Sequence, residues 1–511
     1  MRSTFIGLET ARSAIAVNQM AQDVVANNLA NSETNGYTRQ RVERAATAVV
    51  SYANRVASSS TVNTGTGVSA LGVSQIRDSF LDKCFRDEYS ISSAYSQTAD
   101  ILNDILSVFP DGADITDDSG LLGGLEGLYT NLNTFIKSPT SSSEANLVRA
   151  SFTNITQILR QLDSGLTTAC QRQTENLQTT VKRTNDLLEQ ITDLNRSISS
   201  DAAIKANSGS EYFKSNELLD KRNLLLDELA SYGNINVKEN SDGTVNVEMG
   251  GKLVVNKGEC DSLDLTIDSD NYVNVAWRTS GTSVSLTGGS IRAYISVLNG
   301  RGSNVQSNKE TPVQGIPYYR DRINEFASAL ADIANKTIPT SSAAVDANGY
   351  VSSYKTLLAG YNADGTAAAT VTAGNISISN EWTSNGAEYL IFSKTENVED
   401  YAQLLSNKLF KDSNTFVSYG ESYTGTFSNY TIDMLGKIGT DVSFNEGRRD
   451  ATATIADDYL SNRDSKSGVQ QDEETANMMI YQKSYQAAAR VMTVMDDMLD
   501  MLINRLGRVG L

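Results

Sequence analysis

The chain contains no histidine. That absence removes Ser-His-Asp and Cys-His nucleophilic catalysis, histidine-ligated zinc and the commonest general base. Cysteine is scarce as well. Cys84, Cys170 and Cys260 are odd in number and widely scattered, which suits neither a disulfide framework nor a metal-ligand cluster. They read as small apolar residues within helices and strands. No run of about 18 apolar residues occurs, so no transmembrane helix is expected. Glu9 follows Met1-Arg2-Ser3-Thr4-Phe5-Ile6-Gly7-Leu8 at once and no apolar signal region develops. The expectation is cytosol, or export by a route that needs no such signal. Basic residues are in the minority, 43 against 61 acidic, for a net charge of −18. That balance disfavours nucleic acid and suits a highly soluble surface.

At 511 residues, 40% hydrophobic and 20% charged, the composition is that of an ordered globular chain. The length implies roughly three or four domains. The most regular stretch is the last. Met478, Tyr481, Tyr485, Ala488, Met492, Met495, Leu499, Leu502 and Leu506 alternate steps of three and four, the a/d seam of a coiled coil, with no glycine or proline until Gly507. Such a stripe needs a partner helix. Phe5 to Ala30 offers one, with Phe5, Leu8, Ile15, Val24, Val25 and Leu29 set among alanines (Ala11, Ala14, Ala16, Ala21, Ala26, Ala30) that permit close approach. Pairing of the two ends is therefore expected.

After the first helix, Asn27-Asn28-Leu29-Ala30-Asn31 runs through Asn35-Gly36, a strong turn signal, into Tyr37-Thr38-Arg39-Gln40. Val42, Val49 and Val50 then mark an extended arm. Near the other end, Asp472-Glu473-Glu474 opens the last helix, where acidic side chains complement the helix dipole, and Tyr481-Gln482-Lys483-Ser484-Tyr485-Gln486-Ala487 follows. These two stretches, in this order and at these ends, resemble the signatures of the bacterial flagellar axial family of rod, hook and hook-associated proteins. That family carries an Asn-Leu/Ile-Ala-Asn turn, then Gly-Tyr and Ser/Thr-Arg-Gln, and a C-terminal D-E-E before Y-Q-x-x-Y-Q-A. Asn35 replaces the proline common there. The Tyr37 to Gln40 ending is most like the hook-associated branch.

Between the ends, residues 91–233 read as helical. Ile101, Leu102, Ile105, Leu106 and Phe109 form one stripe ending at Pro110, and Ser141 with Glu144 forms a capping box before a long helical segment. The acidic loop Asp111 to Gly120 lacks the glycine and terminal glutamate of an EF-hand and reads as solvated loop. From Asn234 the pattern turns to strands: a hairpin through Gly250-Gly251, Tyr272–Trp277 and Ser283–Leu286. A helix carries Tyr319, Ile323, Phe326, Leu330 and Ile333. Residues 340–431, rich in Ser, Thr, Asn and Gly, read as a β-containing domain, after which Ala451–Leu460 is again helical.

The expected fold is mainly α with inserted β-rich domains: discontinuous nested domains, paired N- and C-terminal helices, and a helix bundle. Residues 1–60 with 472–511 form the terminal helical domain; 61–233 with 319–339 and 432–471 the bundle; 234–318 a β-containing segment; 340–431 an outer variable domain. What the resemblance implies is a structural, self-assembling component of the flagellum at the junction of hook and filament, extracellular, exported by the flagellar type III route without a cleaved signal. It implies no enzyme activity, cofactor or metal. The implied partners are copies of itself, hook protein, a second junction protein adjacent to flagellin, and a cytosolic export chaperone on the C-terminal helix, with no nucleic acid and no membrane. The assembly motif is then Asn28, Leu29, Ala30, Asn31, Gly36, Tyr37, Arg39 and Gln40, and the chaperone-binding helix carries the Met478 to Leu506 seam. Competing expectations are a hook or other axial subunit, or an adhesin or carbohydrate-active enzyme borne on the outer domain.

Overall fold

The computed structural model describes residues 6–47, 67–110, 120–206, 215–341, 344, 350–391 and 398–501. Phe5, Val49, Val50, the acidic loop at 111–119, Leu502 and Leu506 lie outside the described residues. The chain divides into two compact units, one of Met1–Ser90, Thr184–Ser262 and Thr452–Leu511, the other of Ile91–Arg183 and Leu263–Ala451.

In the first unit, α1 (Ile6–Ala30) leads to β1 (Gln40–Ala46), which pairs antiparallel with β2 (Val68–Gln75) from Gln40↔Gln75 to Ala46↔Val68. The start of α2 (Ser79–Leu106) follows. The C-terminal part of a later helix and α5 (Asn216–Tyr232) cover a four-stranded antiparallel sheet in the order β3 (Ile235–Glu239), β4 (Val245–Met249), β5 (Lys252–Asn256), β6 (Glu259–Cys260). Leu188, Ile191, Leu226, Leu229, Val247 and Val255 are buried there. The expected hairpin is β4–β5, with both Gly250 and Gly251 at positive φ.

In the second unit, Ile101, Leu102, Ile105 and Phe109 of the expected stripe are buried. They share this unit with α3 (Leu121–Lys137) and the first part of α4 (Ser142–Ala206). The Ser141 hydroxyl accepts the Glu144 amide at 3.4 Å, so the capping residue is present and opens one unbroken helix of 65 residues. β7 (Leu263–Ile267) and β8 (Val273–Trp277) form a ribbon, followed by α6 (Ser290–Leu298) and α7 (Ile316–Asn335), whose Tyr319, Ile323, Phe326 and Leu330 are all buried. The strand expected at Ser283–Leu286 does not form. The chain turns at Gly281 (φ 66°), makes one bridge from Ser283 to Ala276, and is drawn off into α6.

Residues 340–431 hold less strand and more helix than expected. β9 (Leu358–Gly360) pairs β10 (Ile376–Ile378), and β11 (Asn414–Ser418) pairs β12 (Glu421–Gly425). Between them lie α8 (Asn380–Asn385) and α9 (Val398–Phe410), which buries Ala402, Leu405 and Leu409 at helical spacing. Phe326, Phe416, Phe427 and Tyr430 form an aromatic cluster with ring centroids 4.2 to 6.5 Å apart. Aromatic pairs of this kind add about 0.5–1.5 kcal/mol beyond area burial. α10 (Phe427–Ser467) begins well before the expected Ala451, and α11 (Gln471–Asp500) completes the chain. The cysteines are free, Cys84 and Cys170 half-buried in helices and Cys260 exposed in β6. No described helix is long and apolar enough to cross a membrane.

Candidate functional site

The two ends of the chain meet in the first unit. α1 and α11 pack along one another, and they run antiparallel: a Cβ on Gly7 would lie 2.6 Å from Met495, while Asn28 bonds to Glu474 at the other end of the pair. The face α1 turns inward is Ala11, Ala14, Asn18, Ala21, Val25 and Asn28, spaced alternately by three and four. Four of those six residues are small or β-branched and let the axes approach. Leu29, expected in the partner stripe, is instead exposed. On α11 the expected seam is the covered one: Met478, Tyr481, Ala488, Met492, Met495 and Leu499 are half-buried, and Tyr485 lies at the margin at 36% exposed.

One end of this pair is locked by polar contacts. Asn28 is fully buried and its amide is saturated. Its Nδ2 donates to the Gln40 carbonyl at 2.8 Å and to Glu474 Oε2 at 3.0 Å. Its Oδ1 accepts the Tyr37 hydroxyl at 2.8 Å and the Gln40 amide at 3.1 Å. Only an amide side chain offers two donors and an acceptor with two lone pairs in one plane, so the motif asparagine carries the turn 28–40 and fastens it to α11. Arg39 completes the contact. Its Nε donates to Glu474 Oε1 at 2.7 Å, its Nη1 to Glu473 Oε2 at 2.9 Å, and its backbone amide to the Ser467 carbonyl at 2.8 Å. Glu474, 1% exposed, is thus shared by Asn28 and Arg39. The acidic residues do occupy the first turn of α11, but two of them are spent on Arg39 rather than on the dipole alone.

Local backbone chemistry makes this geometry possible. Gly36 has φ +78°, and a Cβ there would lie 2.5 Å from Leu224. Gly468 separates α10 from α11 where a Cβ would lie 2.4 Å from the Asp464 carbonyl. Asn31 bonds back to Asn27, closing the helix end. Behind the lock, Asn216 Nδ2 donates to Gln40 Oε1 at 3.0 Å, and Gln75 donates to Asp220 at 2.8 Å. Burial, then the charges of Asp220, Glu474 and Glu217, raise the Tyr37 hydroxyl to about 12, so it stays a donor. Burial likewise raises the Asp220 carboxyl. Arg44 stacks over the Tyr481 ring at 4.5 Å, tying β1 to the seam.

α11 also carries a second stripe that the sequence reading missed. Ile480, Ser484, Ala487, Val491, Val494, Met498 and Met501 repeat the same three-four spacing one residue out of step with the first. Ile480, Val491, Val494, Met498 and Met501 are exposed, between 47% and 57%. Counting a second register along the same stretch would have found it. Among the described residues, no cluster of three or more Cys, Asp or Glu is placed to hold a metal ion.

Three family models match: a flagellar hook-associated protein FlgK helical domain over residues 113–351, a flagellar basal body rod FlgEFG protein C-terminal region over 460–506, and a flagella basal body rod protein over 8–38. The flagellar hook-associated protein 1 of Bacillus subtilis is 29% identical over the whole of both chains. That of Salmonella typhimurium is 25% identical over 64% of this chain and 55% of its own length, and that of Escherichia coli 23% over 67% and 58%. The chain thus aligns with little more than half of the length of these last two. The flagellar hook junction protein FlgK of Burkholderia pseudomallei shares the fold, with a TM-score of 0.53 over 76% of this chain and all of that one, at 12% identity.

Proposed function

We propose that the chain belongs to the flagellar hook-associated protein 1 family, whose helical-domain model and Bacillus subtilis member it resembles, and that it is a self-assembling structural subunit of the flagellar axis that forms the junction between hook and filament. The observation that carries the reading is the exposed stripe of α11. A helix already docked on α1 through one seam still presents a second, mostly apolar stripe to solvent, interrupted at Ser484. Patches of this kind mark interaction surfaces, and in a monomer they are an aggregation hazard. Neighbouring axial subunits, whether copies of this chain, hook protein or the second junction protein, cover that stripe in the assembled flagellum. Before export by the flagellar type III route, a cytosolic chaperone on the same helix covers it. Residues 1–60 with 472–511 are then the assembly element, with the lock around Asn28 and Glu474 setting its geometry.

The work is association rather than bond chemistry, a reading that the structural character of the family supports. A hook subunit shares both terminal motifs, but the match of residues 113–351 to the hook-associated helical domain favours the junction role. Deletion of residues 478–511 tests the proposal. The truncated chain is expected to keep its second unit folded, to lose retention by the chaperone and to stop filament growth. Normal filaments with that deletion overturn it.

A further inference from the structure

The first unit holds a cavity of about 320 Å³. The end of β2, the first turns of α2, α5 and the strands β3 and β4 enclose it. Four of its lining side chains are basic (Arg77, Lys83, Arg86, Arg222) and two acidic (Asp82, Glu239), a local positive excess in a chain of net charge −18. Three of the four cations have carboxylate partners. Arg77 pairs with Asp82 and Lys83 with Asp87, each at 2.6 Å, and Arg86 pairs with Asp227 at 2.6 Å.

Arg222 differs. It is 3% exposed, its Nη1 donates to two neutral acceptors, Asn195 Oδ1 at 3.1 Å and the Gly243 carbonyl at 2.7 Å, and its Nε has no acceptor. Among the described residues it forms no ion pair. Burial draws its guanidinium down to about 10; the field of Glu239 opposes this and those of Arg86 and Arg77 add to it. A buried cation with no carboxylate in direct contact carries a standing cost. An anion entering the adjoining cavity relieves it.

We propose that this cavity binds a small oxyanion of the phosphate or sulfate class, held chiefly by Arg222 with Lys83 and Arg86 at its sides. Guanidinium groups present forked donors that match oxyanion oxygens, which favours this class over a spherical halide. Ser79 adds a hydroxyl on the same wall.

The full-length chain in an organic buffer decides the matter, with phosphate, sulfate or chloride added at matched ionic strength. Titration calorimetry and the thermal midpoint are expected to show saturable binding of phosphate and sulfate, with chloride inert. Arg222→Met is expected to abolish saturation. Lys83→Ala, on an exposed side chain paired only along its own helix, keeps the ligand-free midpoint and weakens affinity about tenfold. Where Arg222→Met does not fold, Lys83→Ala decides. An equal response to chloride, no saturable response, or unchanged affinity in the foldable variants overturns the assignment.

Discussion

Glu474→Ala removes the one side chain that joins both halves of the terminal lock. In the structure this carboxylate accepts Arg39 Nε at 2.7 Å and Asn28 Nδ2 at 3.0 Å while 1% exposed. Its loss leaves a buried amide N–H without a partner and a guanidinium short of one. An orphaned buried donor costs about 1–3 kcal/mol, and breaking a buried charge pair about 3–5 kcal/mol. Arg39 keeps Glu473 and is 18% exposed, so the upper part of that range does not apply. The expected loss is about 2–3 kcal/mol. Native-state hydrogen exchange reads it locally, because the Arg39 amide donates to Ser467 O and the Gln40 amide to Asn28 Oδ1. These two amides should exchange roughly 30- to 160-fold faster in the variant, at about 1.36 kcal/mol per factor of ten. Peptides from the second unit should not change. In the parent chain, protection along α11 should be greatest near Glu474 and decline toward Met501, following the loss of burial. An acceleration below about threefold at the two reporter amides, or uniform protection along α11, refutes the idea that this contact holds the ends together.

Three other outcomes follow from the same geometry. Gly36→Ala should destabilise the first unit by about 1–3 kcal/mol in denaturant titration, since it forces a side chain into positive φ and toward Leu224, whose partial exposure allows some relief. The Tyr37 hydroxyl titrates near 10 when unfolded and is raised to about 12 in the fold, so its contribution is fully present below pH 10 and is lost as pH rises toward 12. Because the ring is only half-buried, that loss is no more than about 1 kcal/mol after solvent screening, and Tyr37→Phe should flatten the alkaline limb of stability against pH. Val494→Glu, on the exposed stripe, should change the stability of the isolated chain by less than about 0.5 kcal/mol yet block its incorporation into flagella; normal filaments in that strain would count against the stripe as a contact surface.

Much of this arrangement was legible in the residues. The three-four steps from Met478 to Leu499 give the covered face of α11 because a helix facing one partner must repeat near 3.5 residues. Asn35-Gly36 gives the turn because few residues tolerate positive φ. Other features hide for physical reasons. The role of Glu474 depends on Arg39, remote in sequence, and no local pattern reports a long-range ion pair. The inner face of α1 includes Asn18 and Asn28, which a count of apolar residues passes over in favour of Leu29. Nothing local in Arg222 distinguishes a buried, unpaired cation from a solvated one. The segment at 283–286 had the composition of a strand but only a single bridge of ladder to join.

The one-residue offset between the two apolar stripes of α11 has a further consequence. Stepping by a single residue turns a helix by about 100°, enough to exchange which stripe rests on α1 and which meets the solvent. Greasy surfaces discriminate weakly between two such phases, since methionine and valine fill either groove. The contacts at the head of the helix admit only one of them: Arg44 lies over the Tyr481 ring, and the other phase would set Ile480 in that place. They therefore act as an index mark: they decide which side of the rod is offered to the next molecule.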